Sequence, residues 1–536
     1  MRSVLLLLLI STTIASAQTF TIILGRPTDR SVTASVRFDR DVTVAIEHGT
    51  TSGTYSASTS SHVTEAGVPV EIDLLDLQPN TRYYYRLRYQ RSGGSLNEYS
   101  DEYTVHTQRA PGSTFRFAIQ ADEHLYDKKG IRSLYQISLA NVALDKPDFM
   151  LSLGDTFGDD HTPDETTSLD MDSLHRDYLQ YLGSVCHSTP FYFCLGNHEG
   201  ENGYYLKQDP PNNIAVYGTM WRKYYYPNPY PNHFYSGNTV EEGYNMGLPE
   251  NYYAWTWGDA LFVVLDVYRH CDVNEKPQGW DWTLGEKQYQ WFKQTLETST
   301  SKYKFVFAHH TRGQGRGGVS TARGFEWGGY EPNKNRYEFD TKRPGWGLPI
   351  HQLMVQYGVN IFFQGHDHLY AQEELDGVIY QEVPMPSDTT YTIGMLANAD
   401  VYTDVTRDGS GHVLVTVAPD RIDVDFIRAY LPKDTLSGEH KNREIGHHYS
   451  VGTTTSVSES VRNQNIRLYP NPASETATIY STGEPVGNVR VFDLMGREYL
   501  SIDDASFDVT MLPQGAYRVV ASLPSGKHSI PLFIQR

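Results

Sequence analysis

Phe149-Met150-Leu151-Ser152-Leu153-Gly154-Asp155 is a short apolar run that stops at a glycine and delivers a carboxylate. The same pattern recurs through the middle of the chain. Phe115 to Ile119 precedes Asp122-Glu123-His124, and Phe191 to Leu195 precedes Gly196-Asn197-His198-Glu199. Lys304 to Ala308 precedes His309-His310, and Ile361 to Gln364 precedes Gly365-His366-Asp367-His368. Between these runs lies helical spacing, as in Ile131, Leu134, Tyr135, Leu139 and Val142. Short apolar strands alternating with helices predict an α/β sheet domain, placed here at residues 111–431. Strand ends in such sheets open on a common face, so loops far apart in sequence are expected to share one site.

Upstream, residues 18–110 change texture. Val32, Ala34, Val36, Phe38 and then Val42, Val44, Ile46 alternate with polar residues, the period of half-buried strands. Leu77-Gln78-Pro79-Asn80-Thr81-Arg82-Tyr83, leading into Tyr85, Leu87 and Tyr89, resembles the tyrosine corner of fibronectin III-like sandwiches, so an N-terminal all-β sandwich is expected. Before it, Arg2, an apolar stretch from Val4 to Ile10 and Ala15-Ser16-Ala17 read as a secretory signal peptide over residues 1–17. Downstream, residues 432–465 are polar and without period, which suits a linker.

Residues 466–536 alternate again and are expected to form a C-terminal β-sandwich. Leu468-Tyr469-Pro470-Asn471-Pro472, Val489 to Asp493, Gly496-Arg497 and Leu512-Pro513-Gln514-Gly515-Ala516-Tyr517 resemble the C-terminal sorting domain of bacterial type IX secretion. The resemblance implies the type IX machinery as a partner and a secreted or cell-surface location.

Composition narrows the rest. The 536 residues carry 45 Lys plus Arg against 64 Asp plus Glu, a formal charge of -19, which excludes bulk nucleic acid as a partner but not small phosphate esters drawn to a local cationic site. No segment approaches the roughly 20 apolar residues of a transmembrane helix. Cys186, Cys194 and Cys271 permit at most one internal disulfide, so packed cores must supply stability.

The five loops offer carboxylate, amide oxygen and imidazole but no thiolate, a set suited to divalent metals of borderline hardness. Asp122 with His124, and His366 with His368, place two donors at spacing two; on extended backbone these would diverge, so irregular loops serving neighbouring ions are expected. Two ions fit this inventory better than one, with Asp155 as the carboxylate able to bridge ions about 3.5–4 Å apart. Glycines before Asp155, Asn197 and His366 allow the backbone to turn sharply there.

The order D-x-H, G-D, G-N-H-E, H, G-H-x-H resembles that of the calcineurin-like metallophosphoesterases from about residue 112 to 431. The resemblance implies a two-sheet sandwich flanked by helices. It also implies that Asp122, His124 and His368 bind a first metal, that Asp155 bridges, and that Asn197, His309 and His366 bind a second. His198 becomes the proton donor or transition-state contact, and His309 takes the ligand position with His310 as the lesser alternative. The layout is similar to purple acid phosphatases, with two departures. Those enzymes carry Gly where this chain has His124, and G-D-x-x-Y where it reads Gly154-Asp155-Thr156-Phe157-Gly158. Without that tyrosine a colourless enzyme is expected, using two divalent ions such as Mn, Zn, Fe or Ni, and no acid optimum carries over.

The expected reaction is hydrolysis of phosphate mono- or diesters by a metal-bridging hydroxide, with His198 protonating the leaving alkoxide. Arg312 and Arg316, in the run Thr311 to Gly318, are candidate phosphate contacts, although a solvated loop reads equally well. The aromatic insert from Tyr204 to Tyr253 is expected to be a long ordered loop packed on the domain. His161, His233 and His270 lie outside the motifs and take no role. Two other readings stand beside the first: hydrolysis of another ester such as sulfate, and a non-catalytic surface binding or adhesion protein on the same fold.

Overall fold

The structure is a computed structural model that describes residues 20–126, 130–157, 162–311, 316–394, 401–452, 466–481, 485–493, 497–523 and 526–535. The signal-peptide reading at 1–17, Arg312 and His161 lie outside the described residues. Two compact units emerge, one from residues 1–321, 359–419 and 423–449, the other from residues 322–358, 420–422 and 450–536.

The first unit begins with two antiparallel sheets built on Phe20–Gly25, Val32–Phe38 and Pro69–Leu74, and on Val42–Gly49 and Arg82–Arg91 with shorter partners. Period-two alternation explains them. Along Arg82–Arg91 the side chains of Tyr83, Tyr85, Leu87 and Tyr89 point inward and the arginines outward. The Tyr83 hydroxyl accepts the Gln78 backbone N–H at 2.8 Å, pinning the corner that enters the strand. The Tyr85 hydroxyl donates to the His187 carbonyl at 2.5 Å, tying this layer to the α/β part of the same unit.

That α/β part holds two sheets. The first contains β1 (Phe115–Gln120), β2 (Phe149–Ser152), β3 (Phe191–Phe193), β12 (Ser410–Val417), β13 (Arg421–Ala429) and β14 (Ile445–Gly452), in the order β3-β2-β1-β12-β13-β14. The second contains β4 (Ser236–Gly237), β5 (Tyr253–Trp257), β6 (Ala260–Val264), β7 (Tyr303–Phe307), β8 (Ile361–Gln364), β9 (Tyr370–Leu375), β10 (Val378–Glu382) and β11 (Val405–Arg407), in the order β4-β5-β6-β7-β8-β10-β9-β11. The central strands β1 to β3, and β6 to β8 with β10, run parallel. Parallel strands are covered on both faces, which is why their sequences are continuous apolar runs. The sheets meet through aromatic side chains: Phe117 packs edge-on to Phe262 at 5.1 Å and to Phe305 at 5.3 Å.

Helices α1 (Arg132–Asp145) and α2 (Ser168–Cys186) cover the outer face of the first sheet, and α2 starts on a capping box in which Thr167 and Asp170 satisfy each other's backbone N–H groups. The insert differs from the expected loop. Ile214–Tyr225 is a helix, α3, with Ile214, Ala215, Gly218, Arg222 and Tyr225 on its buried side and Asn213 capping it at Val216 N. Tyr225 and Tyr226 donate to Asp172 and to the His175 carbonyl of α2, so these aromatics are used in packing.

A second difference falls in the stretch expected to be a linker, because Ile445–Gly452 is strand β14 at the edge of the first sheet. Its side chains are all at least partly exposed, so burial leaves no alternating hydrophobic pattern in the sequence. All three cysteines are free and buried. In the second unit, a three-stranded and a four-stranded antiparallel sheet enclose Val489, Val491, Phe507, Val519, Ala521 and Leu532. Among the described residues no helix is long and apolar enough to cross a membrane.

Candidate metal centre

The loops after β1, β2, β3, β7 and β8 converge, and three overlapping groups of donors result: Asp122, His124 and His368; His124, Asp155 and His198; and Asp155, His309 and His366. Within each group the donor atoms lie within 4.8 Å of one another. The backbone contorts to achieve this. Asp122, His124, Asp155, His366 and His368 all adopt positive φ, between 42° and 77°, a region costly for residues with a Cβ. Five of the donors therefore share a backbone conformation that residues with a Cβ seldom adopt. Gly154, at φ 100°, has no alternative: a Cβ there would meet the Gly196 nitrogen at 2.3 Å.

Asp122 and Asp155 are buried at the middle of the cluster. The Asp122 Oδ2 accepts the His366 N–H at 2.8 Å, while Oδ1 has no hydrogen-bond partner and lies 3.5 Å from His368 Nε2, 3.7 Å from His124 Nε2 and 3.9 Å from His309 Nε2. Asp155 Oδ1 accepts the His198 N–H at 2.8 Å, and its Oδ2 lies 3.3 Å from His309 Nε2 and 3.6 Å from His124 Nε2. Asn197 Oδ1 is likewise buried without a partner, and the Asn197 carbonyl is held by Asn202 Nδ2 at 3.0 Å.

Imidazole nitrogens face each other across this space, His124 Nε2 to His368 Nε2 at 3.1 Å and His309 Nε2 to His366 Nδ1 at 3.2 Å. Converging oxygen and nitrogen lone pairs of this kind fit cations. His309 Nδ1 lies 2.8 Å from the Leu153 carbonyl; donating its proton there leaves Nε2 as the free lone pair, the usual orientation of a metal-bound histidine. His310, the alternative, packs its ring 4.8 Å from that of His366 and joins none of the three donor groups.

Electrostatics agree with this. Burial drives the pKa of His368 down to about 3 and that of His366 well below its usual value, which keeps both neutral and able to donate lone pairs. Burial also opposes charge on His309, but the Asp155 and Asp122 carboxylates outweigh it and lift its pKa to about 9, so a cation bound at Nε2 would have to displace a proton there. Asp155 is held well below the usual carboxylate range, its burial outweighed by His309, His198 and His124.

Two glutamates without an assigned role in the sequence support the loops. Glu199, pushed up to about 7 by burial, accepts the backbone N–H groups of Gly196, Asp155, Thr156 and Phe157. Glu123, pushed up to about 8 by burial, accepts the Thr156 hydroxyl at 2.8 Å. Both positions were visible inside the motifs; nothing in the sequence said which backbone they would hold. Of the two candidate arginines, Arg316 is within the described residues and donates through Nη1 to the His366 carbonyl at 3.0 Å, at the rim of the cluster.

The sequence profile of the calcineurin-like phosphoesterases matches residues 115–370. Residues 115–370 are thus similar to the calcineurin-like phosphoesterases. A second profile, that of the secretion system C-terminal sorting domain, matches residues 467–534, which indicates export by the type IX machinery to the cell surface or beyond. Among solved structures, a purple acid phosphatase from yellow lupin (Lupinus luteus) seeds is 16% identical with a TM-score of 0.53, over 80% of this chain and 74% of that one. A structure of PhoD is 16% identical with a TM-score of 0.55, over 90% of this chain and 92% of that one. At such identities the likeness is one of fold. No curated protein matches the chain. Within the matched residues the donor groups described above occupy the strand ends of the two sheets.

Proposed function

We propose that this chain is an exported phosphoesterase that hydrolyses phosphate mono- or diesters with two divalent cations. Asp122, His124 and His368 hold one ion, Asn197, His309 and His366 the other, and Asp155 lies between. The supporting observation is the donor cluster itself: buried oxygens of Asp122 and Asn197 without hydrogen-bond partners, facing imidazole nitrogens on strained loops. Manganese, zinc, iron or nickel suit a carboxylate, amide and imidazole set. When bound, such ions polarise phosphoryl oxygens and make water nucleophilic near neutral pH.

The chain's own groups do the rest. His198 has a partly exposed side chain and its Nε2 lies 3.9 Å from Asp155 Oδ2, on the side of the cluster that solvent reaches. Its backbone N–H, fixed on Asp155 Oδ1, orients the ring, and the ring supplies a proton to the departing alkoxide. The strand ends hold the donors in place before substrate arrives, so reorganisation during the reaction is small. Residues 18–110 serve as a fibronectin III-like sandwich and residues 1–17 as a signal peptide in this reading.

Metal analysis combined with an ester panel tests it. Purified wild type should contain close to two ions and hydrolyse an aryl phosphate or a bis-aryl phosphate, while Asp155→Asn should lose at least about a hundredfold in kcat with its fold intact. Protein that carries no metal, or metal-loaded protein active on neither ester, would refute the proposal and favour a binding role.

A further inference from the structure

Asp367 stands between the two donors His366 and His368 yet points away from the cluster. It is fully buried. Its Oδ2 accepts two hydrogen bonds, from the Gly317 backbone N–H and from the Tyr402 hydroxyl, each at 2.6 Å. Its Oδ1 has no hydrogen-bond partner and lies 3.7 Å from Arg316 Nη1. Its own N–H donates to Glu382 Oε1 at 3.1 Å, and the Tyr402 hydroxyl also lies 3.2 Å from Glu382 Oε2.

The segment that follows Arg316 is therefore tied to the H-D-H loop through main-chain atoms. A second carboxylate repeats the arrangement: Glu373 accepts the Val319 N–H at 2.9 Å and the Thr403 N–H at 2.9 Å. The tie needs glycines. Gly317 has φ 123°, and a Cβ on Gly318 would come 2.7 Å from Glu373 Oε2. A solvated arginine on a loose loop needs none of this. Arg316 keeps 27% of its side chain exposed while Nη1 is fixed on the carbonyl of His366, so its guanidinium stands at the open edge of the cluster.

Resting on the phosphoesterase reading above, we propose that Asp367 is a positioning residue. It holds Arg316 at the rim, where the guanidinium receives the phosphoryl oxygens of the substrate. An arginine fixed by backbone hydrogen bonds arrives already ordered, which lowers the entropy lost on binding an anion.

The test compares full-length, metal-loaded wild type with Asp367→Asn, Arg316→Gln and the double variant. The measurements are kcat and KM on an aryl phosphate, the affinity for inorganic phosphate, and metal content. Each single variant should raise KM and weaken phosphate binding by about tenfold, the loss of one charge-assisted hydrogen bond, with kcat and metal content little changed. The double variant should be no worse than Arg316→Gln alone, because Asp367 acts only through Arg316. Additive losses, unchanged phosphate affinity in Asp367→Asn, or loss of metal from that variant would each overturn the assignment.

If Asp367→Asn does not fold, Tyr402→Phe loosens the same carboxylate. A raised KM there supports the proposal and an unchanged one overturns it. The two readings fail separately. Wild type that binds phosphate with this dependence but hydrolyses no ester sinks the hydrolase and keeps the latch; active wild type with unaffected variants sinks the latch alone.

Discussion

His198 has a partly exposed side chain, and its ring stands edge-on to that of His124 at 5.0 Å. If it protonates the leaving group, its replacement should matter most where the leaving group is a poor one. His198→Gln is expected to slow hydrolysis of an alkyl phosphate by about a hundredfold or more and that of an activated aryl phosphate far less. Equal losses on the two esters, in steady-state assays, would remove its role as an acid. His175 poses a different question at the same scale. It is buried in the core, donates from Nδ1 to the Met171 carbonyl at 2.7 Å and stacks on Phe157 at 4.7 Å, and burial drives its pKa from 6.5 down to about 4. The unfolded chain takes up a proton below pH 6.5 that the folded one refuses until about pH 4, so the stability this site contributes is present above pH 6.5 and drains away between those values. Urea denaturation across that window should show less acid sensitivity in His175→Gln than in wild type; parallel curves would rule this out.

The loops act as one element because Glu199 gathers them. Its carboxylate takes four backbone N–H groups from the segments after β2 and β3, and in Glu199→Gln one oxygen becomes an amide nitrogen that cannot accept. Leaving two buried N–H groups unpaired costs about 2–6 kcal/mol, and thermal melting should show that loss together with weakened metal retention. A variant that melts like wild type and keeps its metal would show that the loops hold themselves. Elements also explain what the sequence hid. Strands β1, β2, β3, β7 and β8 were legible because burial on both faces writes them as unbroken apolar runs. Helix α3 was not, because Tyr, Asn and Pro crowd its neighbourhood and its buried side includes Arg222, which pairs with Glu201 at 2.6 Å. Strand β14 was missed for the opposite reason, since an edge strand with no fully buried side chain has no hydrophobic period to read.

For the whole molecule, two carboxylates and facing imidazoles held close together need a counter-charge, so bound ions should stabilise the first unit. Chelation is expected to lower the melting temperature by several degrees and reloading with manganese or zinc to restore it, as binding to the folded state alone requires. A melting temperature indifferent to chelator would argue that no ion is held there. The net charge of -19 sets a diffuse negative field, and Arg316 at the rim supplies a local positive one where an anionic ester would enter. By itself the sequence determined the α/β class, the five donor loops and the sorting tail, because strand periodicity, glycine placement and donor type are local properties. Only the tertiary structure decided which donors face one another, and that Glu199 and Asp367 accept backbone N–H groups. Those roles depend on which N–H groups the folded chain brings within about 3 Å, a distance that no residue's identity or spacing encodes.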